Sequence, residues 1–337
     1  MNAQRPSGRR RFLSIAAASA GLALLGQSSR ARQVEFQTWS GTALGAQASI
    51  RLQHPDPAFA RSLIAEARAE IERLEQVFSL YRADSALSTL NRQSYLDAPP
   101  LDLVRLLAEA RRYGEITDGA FDVTVQPLWQ VYTKHFWEDG GGTAGPDEAV
   151  LTEALSRVDY RAVAIDPARI AFEKPGMAVT LNGIAQGYIT DRVAELLRRA
   201  GLNEVLIDLG EIRALGRHPS GRPWTVGLSD PQKRARIRRR LDLDNAALAT
   251  SAGAGTTFDR EGRVHHLFDP RNGQSSTRYL GLSVRAPSAT QADALSTGLF
   301  HLDQDRISSL LRLAPKVEVF ATLANGGERH WRGRDQA

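Results

Sequence analysis

The chain has 337 residues, 42% hydrophobic and 24% charged, with 43 basic and 38 acidic side chains and a formal net charge of +5. These proportions exclude a largely disordered chain, a collagen-like repeat and a multi-span membrane protein. The lack of cysteine excludes disulfides, thiolate metal sites, thiol nucleophiles and a lipidated N-terminal Cys. The net charge does not indicate a nucleic-acid partner: residues 1–32 hold six arginines and no acid, so the rest of the chain is nearly neutral.

Arg9-Arg10-Arg11-Phe12-Leu13 precedes an apolar stretch at 15–25. Such a stretch is too short to span a bilayer of about 30 Å as a helix. The paired arginines are similar to a twin-arginine export signal; the alternative is an ordinary secretory signal with extra arginines. Residues 1–32 are taken as the signal and 33–337 as the body of a soluble periplasmic protein.

Segments 34–38 and 46–52 alternate as strands. Across 56–78, Phe59, Leu63, Ala67, Ile71, Leu74 and Phe78 recur at three- and four-residue steps, which predicts a long amphipathic helix. A second helix is expected at 101–113, a flexible loop at 139–146, and a helix at 147–157 with Asp147 near its start. Short strands are predicted at 162–166, 169–173 and 178–181, followed by a helix over 184–199. Further strands are expected at 204–209, 211–216, 224–228, 243–249, 264–268 and 280–286. Helices at 292–302 and 306–313 precede a last strand at 317–321. Long helices among hairpin-spaced strands indicate an α+β fold, mixed but largely antiparallel in its β-core. Six basic residues within 233–240 fall in a hairpin. They read as a solvated loop tip, or as a docking patch for an acidic partner or an anionic membrane surface.

Four stretches carry candidate chemistry. Val179-Thr180-Leu181-Asn182-Gly183-Ile184-Ala185-Gln186-Gly187-Tyr188 runs from a strand through a glycine turn into a helix. Exposed N–H groups and the helix dipole at such a start favour a phosphate, although the ending of a Walker loop and the dinucleotide GxGxxG are both missing. In Gln291-Ala292-Asp293-Ala294-Leu295-Ser296-Thr297-Gly298, Asp293 and Thr297 share a helical face with Ser296 beside it. This sparse all-oxygen set suits Mg²⁺; the alternative is helix capping and a buried Thr. In Arg263-Val264-His265-His266-Leu267-Phe268-Asp269-Pro270-Arg271-Asn272-Gly273, the two histidines alternate across a strand, so only one can face a cleft, as a general base or a structural His. Finally, Thr117-Asp118-Gly119-Ala120-Phe121-Asp122 can hold a ring or a ribose or simply form an Asx-capped turn, and Tyr81 can stack on a ring or pack in the core.

The order of these stretches along the chain resembles the ApbE family, the FAD:protein FMN transferases. The series begins at Gly41-Thr42 and Phe78-Ser79-Leu80-Tyr81 with Asp84-Ser85, and continues through Asp118 to Asp122 and Asn182 to Gly187. It then takes in Asp208-Leu209-Gly210, Thr250-Ser251, His266 with Asp269-Pro270 and Gly273, and Ala292-Asp293 with Thr297. The resemblance covers about 36–320, and the Asn182 to Gly187 version with twin-arginine export is similar to the NosX-type branch linked to nitrous-oxide reductase maturation. It implies a T-fold-related, two-lobed architecture, FAD as substrate, Mg²⁺, and transfer of FMN to a threonine hydroxyl of a membrane-linked target flavoprotein, with release of AMP. It implies FAD contacts at Ser40, Tyr81, Ala120, Phe121, Asp122, Thr180, Gln186, His266 and Leu267. It places the metal at the Gly183 carbonyl, Asp293, Ser296 and Thr297, with His266 as the catalytic base.

The chain departs from the family pattern at several positions. Ser40 stands where most members have Met, Thr180 where most have Asp, and Gln186 where most have Lys. Loss of an acid and a base together leaves no lone charge. Ser296 stands at a position that is often acidic, which lowers the formal charge of the metal site and implies weaker Mg²⁺ binding. Two alternatives to the transferase are an FAD pyrophosphatase, with water replacing the acceptor hydroxyl, and a non-enzymatic flavin-binding assembly factor.

Overall fold

The structure is a computed structural model describing residues 36–142, 144–233 and 235–333. The arginine-rich segment 1–32 lies outside the described residues. Strand β1 (Phe36–Ala43) turns through Leu44 and Gly45, both at positive φ, into β2 (Ala46–Gln53). Positive φ at both turn positions is the geometry that suits the twist of a two-residue hairpin. The N-cap Asp56 opens α1 (Pro57–Phe78), and α2 (Ala86–Gln93), capped by Ser85, follows. Next come β3 (Tyr95–Asp97), α3 (Leu101–Ile116), α4 (Gln126–Thr133) and α5 (Glu148–Ser156). After β4 (Val163–Ile165) and β5 (Arg169–Phe172), α6 (Ala185–Arg199) leads to β6 (Val205–Asp208) and β7 (Ile212–Leu215). The hairpin β8 (Trp224–Ser229) and β9 (Ile237–Leu243) precedes β10 (Ala247–Ala252) and β11 (Tyr279–Ala286). Helices α7 (Ala289–Leu299) and α8 (Gln304–Leu311) and strands β12 (Glu318–Leu323) and β13 (Glu328–Arg332) close the order.

The main sheet runs β1-β2-β6-β7-β10-β11-β12-β13, every neighbour antiparallel, beside a three-stranded sheet β3-β5-β4. Alternation along its central strands divides two interiors. Val205 and Ile207, like Ala247 and Ala249, face the helices α1, α6 and α7, whereas Leu206 and Leu248 face Trp224, Val226 and Leu243 of the hairpin. Both faces are covered, so these strands read as continuous apolar runs. The helix-side core extends from Leu103 of α3 and Ile170 of β5 to Val284 of β11 without a break. The α+β, largely antiparallel expectation therefore holds.

Several local expectations change for nameable reasons. Residues 178–181 are extended but join no sheet. Instead the Asn91 side chain takes the place of a strand, its Nδ2 donating to the Val179 carbonyl (2.8 Å) and its Oδ1 accepting the Val179 N–H (2.7 Å). Residues 264–268 make only isolated bridges, Thr257 to His265 and Phe268 to Ser275. The strand expected at 243–249 is split by a turn at Asn245 (φ 45°), between β9 and β10. The basic run is not merely a loop tip, because Ile237 to Arg240 lie in β9. There Arg238 pairs with Asp230 at 3.0 Å, and Arg238 and Arg239 reach Glu328 at 3.6 and 3.4 Å. Helix α3 runs one turn beyond 113, with Gly114 against the Tyr160 ring, 2.9 Å from where a Cβ would stand. Among the described residues, no helix is long and apolar enough to cross a membrane.

Candidate active site

The site is built where α6 and α7 meet. Gly187 allows backbone contact between the two helices: an added Cβ would stand 2.4 Å from the Ala289 carbonyl oxygen and 2.8 Å from the Asp293 Cβ. The Gly187 N–H donates to Asp293 Oδ2 at 3.0 Å. One turn earlier, Gly183 lies against Thr297, whose Oγ1 would be 2.9 Å from a Cβ there. The glycines of Asn182 to Gly187 thus serve close approach, as expected of that residue type. Asp191 of α6 locks the register, accepting Ala289 N–H at 2.9 Å, Thr290 N–H at 2.8 Å and the Thr290 hydroxyl at 2.7 Å. A carboxylate on these orphan N–H groups also complements the helix dipole.

A cavity of about 290 Å³ opens beside this junction. Gly183, Asp293, Thr297, Ser251, Glu211 and His266 are among the residues that line it. The Ser251 hydroxyl lies 2.8 Å from Ser296 Oγ and 3.3 Å from Thr297 Oγ1. Asp293 and Glu211 are both almost wholly buried, at 4% exposure each, and neither has an ion-pair partner among the described residues. Burial pushes the Asp293 carboxyl up. Burial, then repulsion from Asp293 and Asp208, pushes Glu211 well above the carboxylate range. Asp208 itself is pushed up to about 6 by burial. Two buried carboxyls without a counter-charge, lining a cavity with the Ser251 and Thr297 hydroxyls, make a donor set that fits a hard divalent cation. No group of three or more His, Cys, Asp or Glu placed to hold a metal occurs among the described residues. A cation bound here would draw its remaining ligands from backbone oxygen, hydroxyls, water and substrate phosphates.

His266 faces the cavity with one nitrogen engaged. Its Nδ1 lies 3.1 Å from the Thr256 carbonyl oxygen and 3.3 Å from the Thr256 N–H. With the ring proton on Nδ1, donated to the Thr256 carbonyl, Nε2 is left as an acceptor. Burial lowers the ring pKa to about 4, so it is neutral near pH 7. The neighbouring His265 is buried and bonds the Ser276 carbonyl at 2.9 Å. Although 264–268 is no strand, only one of the two histidines reaches the cavity.

The expected flavin contacts divide. Tyr81, Phe121, Asp122, Thr180, Gln186 and Leu267 line the cavity together with His266. Tyr81 stands at its mouth, 72% exposed. Phe121 and Asp122 are delivered by the turn at Asp118 and Gly119 (φ 54° and 74°), and the Phe121 N–H is held by Thr117 Oγ1 at 2.9 Å. Asp122 spends its oxygens on the Thr124 N–H and hydroxyl (2.7 and 2.6 Å) and the Tyr160 N–H (3.0 Å), and burial raises it to about 6. Asp118 points outward to Arg306 at 3.5 Å. Three expected residues are not among the cavity lining. Ser40 is exposed on β1 opposite Ser49, Ala120 is buried behind Phe121, and Ser296 is buried with its hydroxyl on Ser251 and on the Asp293 carbonyl (3.0 Å). Trp129, Phe268 and Glu211, none of them among the expected site residues, also line the cavity. For Glu211 a signal existed, an acid inside the apolar run from Val205 to Leu215.

Fold and site together define an α+β enzyme in which oxygen donors suited to a cation and a histidine line one cavity. Residues 44–321 match the ApbE family. A relative named FAD:protein FMN transferase from Treponema pallidum is 32% identical over 316 residues, covering 86% of this chain and 85% of its own. Another of that name from Haemophilus influenzae is 31% identical over 254 residues, 72% of each chain. The flavin transferase ApbE from Vibrio cholerae superposes with a TM-score of 0.75 at 25% identity, covering 89% of this chain and 98% of its own. The ApbE protein from Thermotoga maritima gives 0.77 at 24% identity, over 88% and 96%. The chain belongs to the ApbE family and is thereby an enzyme, a transferase.

Proposed function

We propose that this protein transfers FMN from FAD to a threonine hydroxyl of another protein and releases AMP. The observation that carries this reading is that Gly183, Asp293, Thr297 and His266 line one and the same cavity. Neutral His266 accepts the proton of the acceptor hydroxyl at Nε2. The hydroxyl oxygen bonds to the FMN phosphorus, the bridging P–O bond breaks, and AMP leaves with that bond's electron pair. Mg²⁺, held by Asp293, Thr297 and the Gly183 carbonyl, would neutralise charge on the diphosphate. Tyr81, Phe121 and Trp129 offer aromatic surface to the isoalloxazine or adenine ring. Loss of both the acid and the base at Thr180 and Gln186 leaves no lone charge at those two positions.

We further infer export to the periplasm by residues 1–32, supported by Arg9-Arg10-Arg11-Phe12-Leu13. The NosX-like features favour a membrane-linked redox acceptor such as one serving nitrous-oxide reductase. Among the described residues of the basic run, Lys233, Arg236 and Arg240 are exposed and are offered for docking an acidic surface. The test is incubation with FAD, Mg²⁺ and a candidate acceptor protein, read by intact mass. The expected result is acceptor mass raised by FMN less water, with one AMP per transfer, abolished by chelator. FMN and AMP released with the acceptor unmodified would identify a pyrophosphatase instead.

A further inference from the structure

We propose that Glu211 is the second carboxylate of the divalent-cation site, supplying from the β6–β7 turn the negative charge that Ser296 does not bring to the cavity. This rests on the transferase reading above. The resemblance places a third metal position at Ser296, but its hydroxyl is committed to Ser251 and the Asp293 carbonyl, and the residue is only 1% exposed. Glu211 lines the cavity in which Asp293 and Thr297 stand. It is only 4% exposed, and no ion-pair partner for it occurs among the described residues.

The position of Glu211 is not incidental to loop packing. Gly210 (φ +99°) lies against Gln186 Nε2, which would be 2.8 Å from a Cβ, and against Ala46. The Leu209 N–H donates to the Glu211 carbonyl at 3.1 Å, and the Thr190 hydroxyl reaches the same oxygen at 3.4 Å. The turn is thus tied to α6, whose Gly187 N–H donates to Asp293 of α7. Two acids buried against one cavity with no cationic side chain oppose folding unless a cation joins them. An amide or an apolar residue would avoid that cost. Two carboxylates match the charge of one divalent ion and leave its remaining positions to hydroxyl, carbonyl, water and phosphate oxygens.

The experiment measures Mn²⁺ binding by electron paramagnetic resonance in the FAD-free full-length protein, in Glu211→Gln and in Asp293→Asn. Thermal melts are recorded with EDTA and with Mg²⁺. Glu211→Gln keeps the size and an acceptor oxygen of the side chain and removes the charge. The expected result is at least a fivefold loss of Mn²⁺ affinity, a metal-free melting point no lower than native, and a smaller rise with Mg²⁺. A loss below fivefold overturns the assignment. If that loss is absent while Asp293→Asn abolishes binding, Glu211 alone is removed and the transferase reading stands. A native chain that binds no Mn²⁺ removes both. If Glu211→Gln does not fold, Glu211→Asp, which keeps the charge but retracts it by one methylene, is held to the same fivefold threshold.

Discussion

Substituting Gly187 by Ala tests the junction on which the site depends. The new methyl would stand 2.4 Å from the Ala289 carbonyl oxygen and 2.8 Å from the Asp293 Cβ, so α6 and α7 must separate. Overpacking of this kind costs about 1–3 kcal/mol. The better helix propensity of Ala returns at most about 1 kcal/mol, and less here because Gly187 sits in the first turn of α6. Separation also stretches the 3.0 Å bond from the Gly187 N–H to Asp293, a charge-assisted bond worth about 1.5–3 kcal/mol. The net expectation is a loss of about 2–4 kcal/mol. At roughly 2–4 °C per kcal/mol for a protein of this size or somewhat smaller, the melting point falls by about 4–16 °C. The functional effect is larger than the stability effect, because a misplacement of about 1 Å at a reacting centre costs on the order of 100-fold in rate. Thermal melts and the FMN-transfer rate, taken at a temperature where the variant is folded, read both. A Gly187→Ala protein with native melting point and native rate would refute the argument that this glycine seats Asp293.

Further outcomes follow from single side chains. Asn91→Ala removes both partners of the buried Val179 backbone and is expected to cost about 2–4 kcal/mol in urea unfolding, whereas Asn91→Asp keeps the acceptor and loses less. His266→Gln is expected to lower FMN transfer by about 10²- to 10⁴-fold while FAD binding, followed by flavin fluorescence, is retained. With Mg²⁺ saturating, native activity should show no loss attributable to His266 between pH 7 and 5, since its pKa is lowered to about 4 by burial. The same shift bears on stability. A folded-state pKa depressed below 6.5 gives a contribution fully present above 6.5 and lost as pH falls through about 4. The urea midpoint of His266→Gln should therefore decline less than that of the native chain between pH 7 and 4.5.

Signals contained within one short window were legible before any coordinates. The three- and four-residue apolar spacing of α1, the Asp147 cap of α5 and the apolar stretches of β6 and β7 are local, and each element stands where those signals put it. The Asn182 to Gly187 and Asp293 to Thr297 stretches were also visible, because glycine and oxygen-bearing side chains at fixed spacing have few uses. The start of α7 was placed three residues late, since its cap is shared by Ser288 and by Asp191 from another helix.

What only the tertiary structure decided concerns partners distant in the chain. Residues 178–181 carry strand composition, but whether they pair with a strand depends on what lies beside them, and that is the Asn91 amide. Ser296 and Glu211 show the same limit for charge and polarity. A hydroxyl one residue from Thr297 turns into the core to meet Ser251, and an acid 82 positions before Asp293 comes to the cavity that Asp293 lines. A hydrogen bond or a buried charge is set by the distance between atoms, and spacing along the backbone determines that distance only within a helix turn or a strand pair.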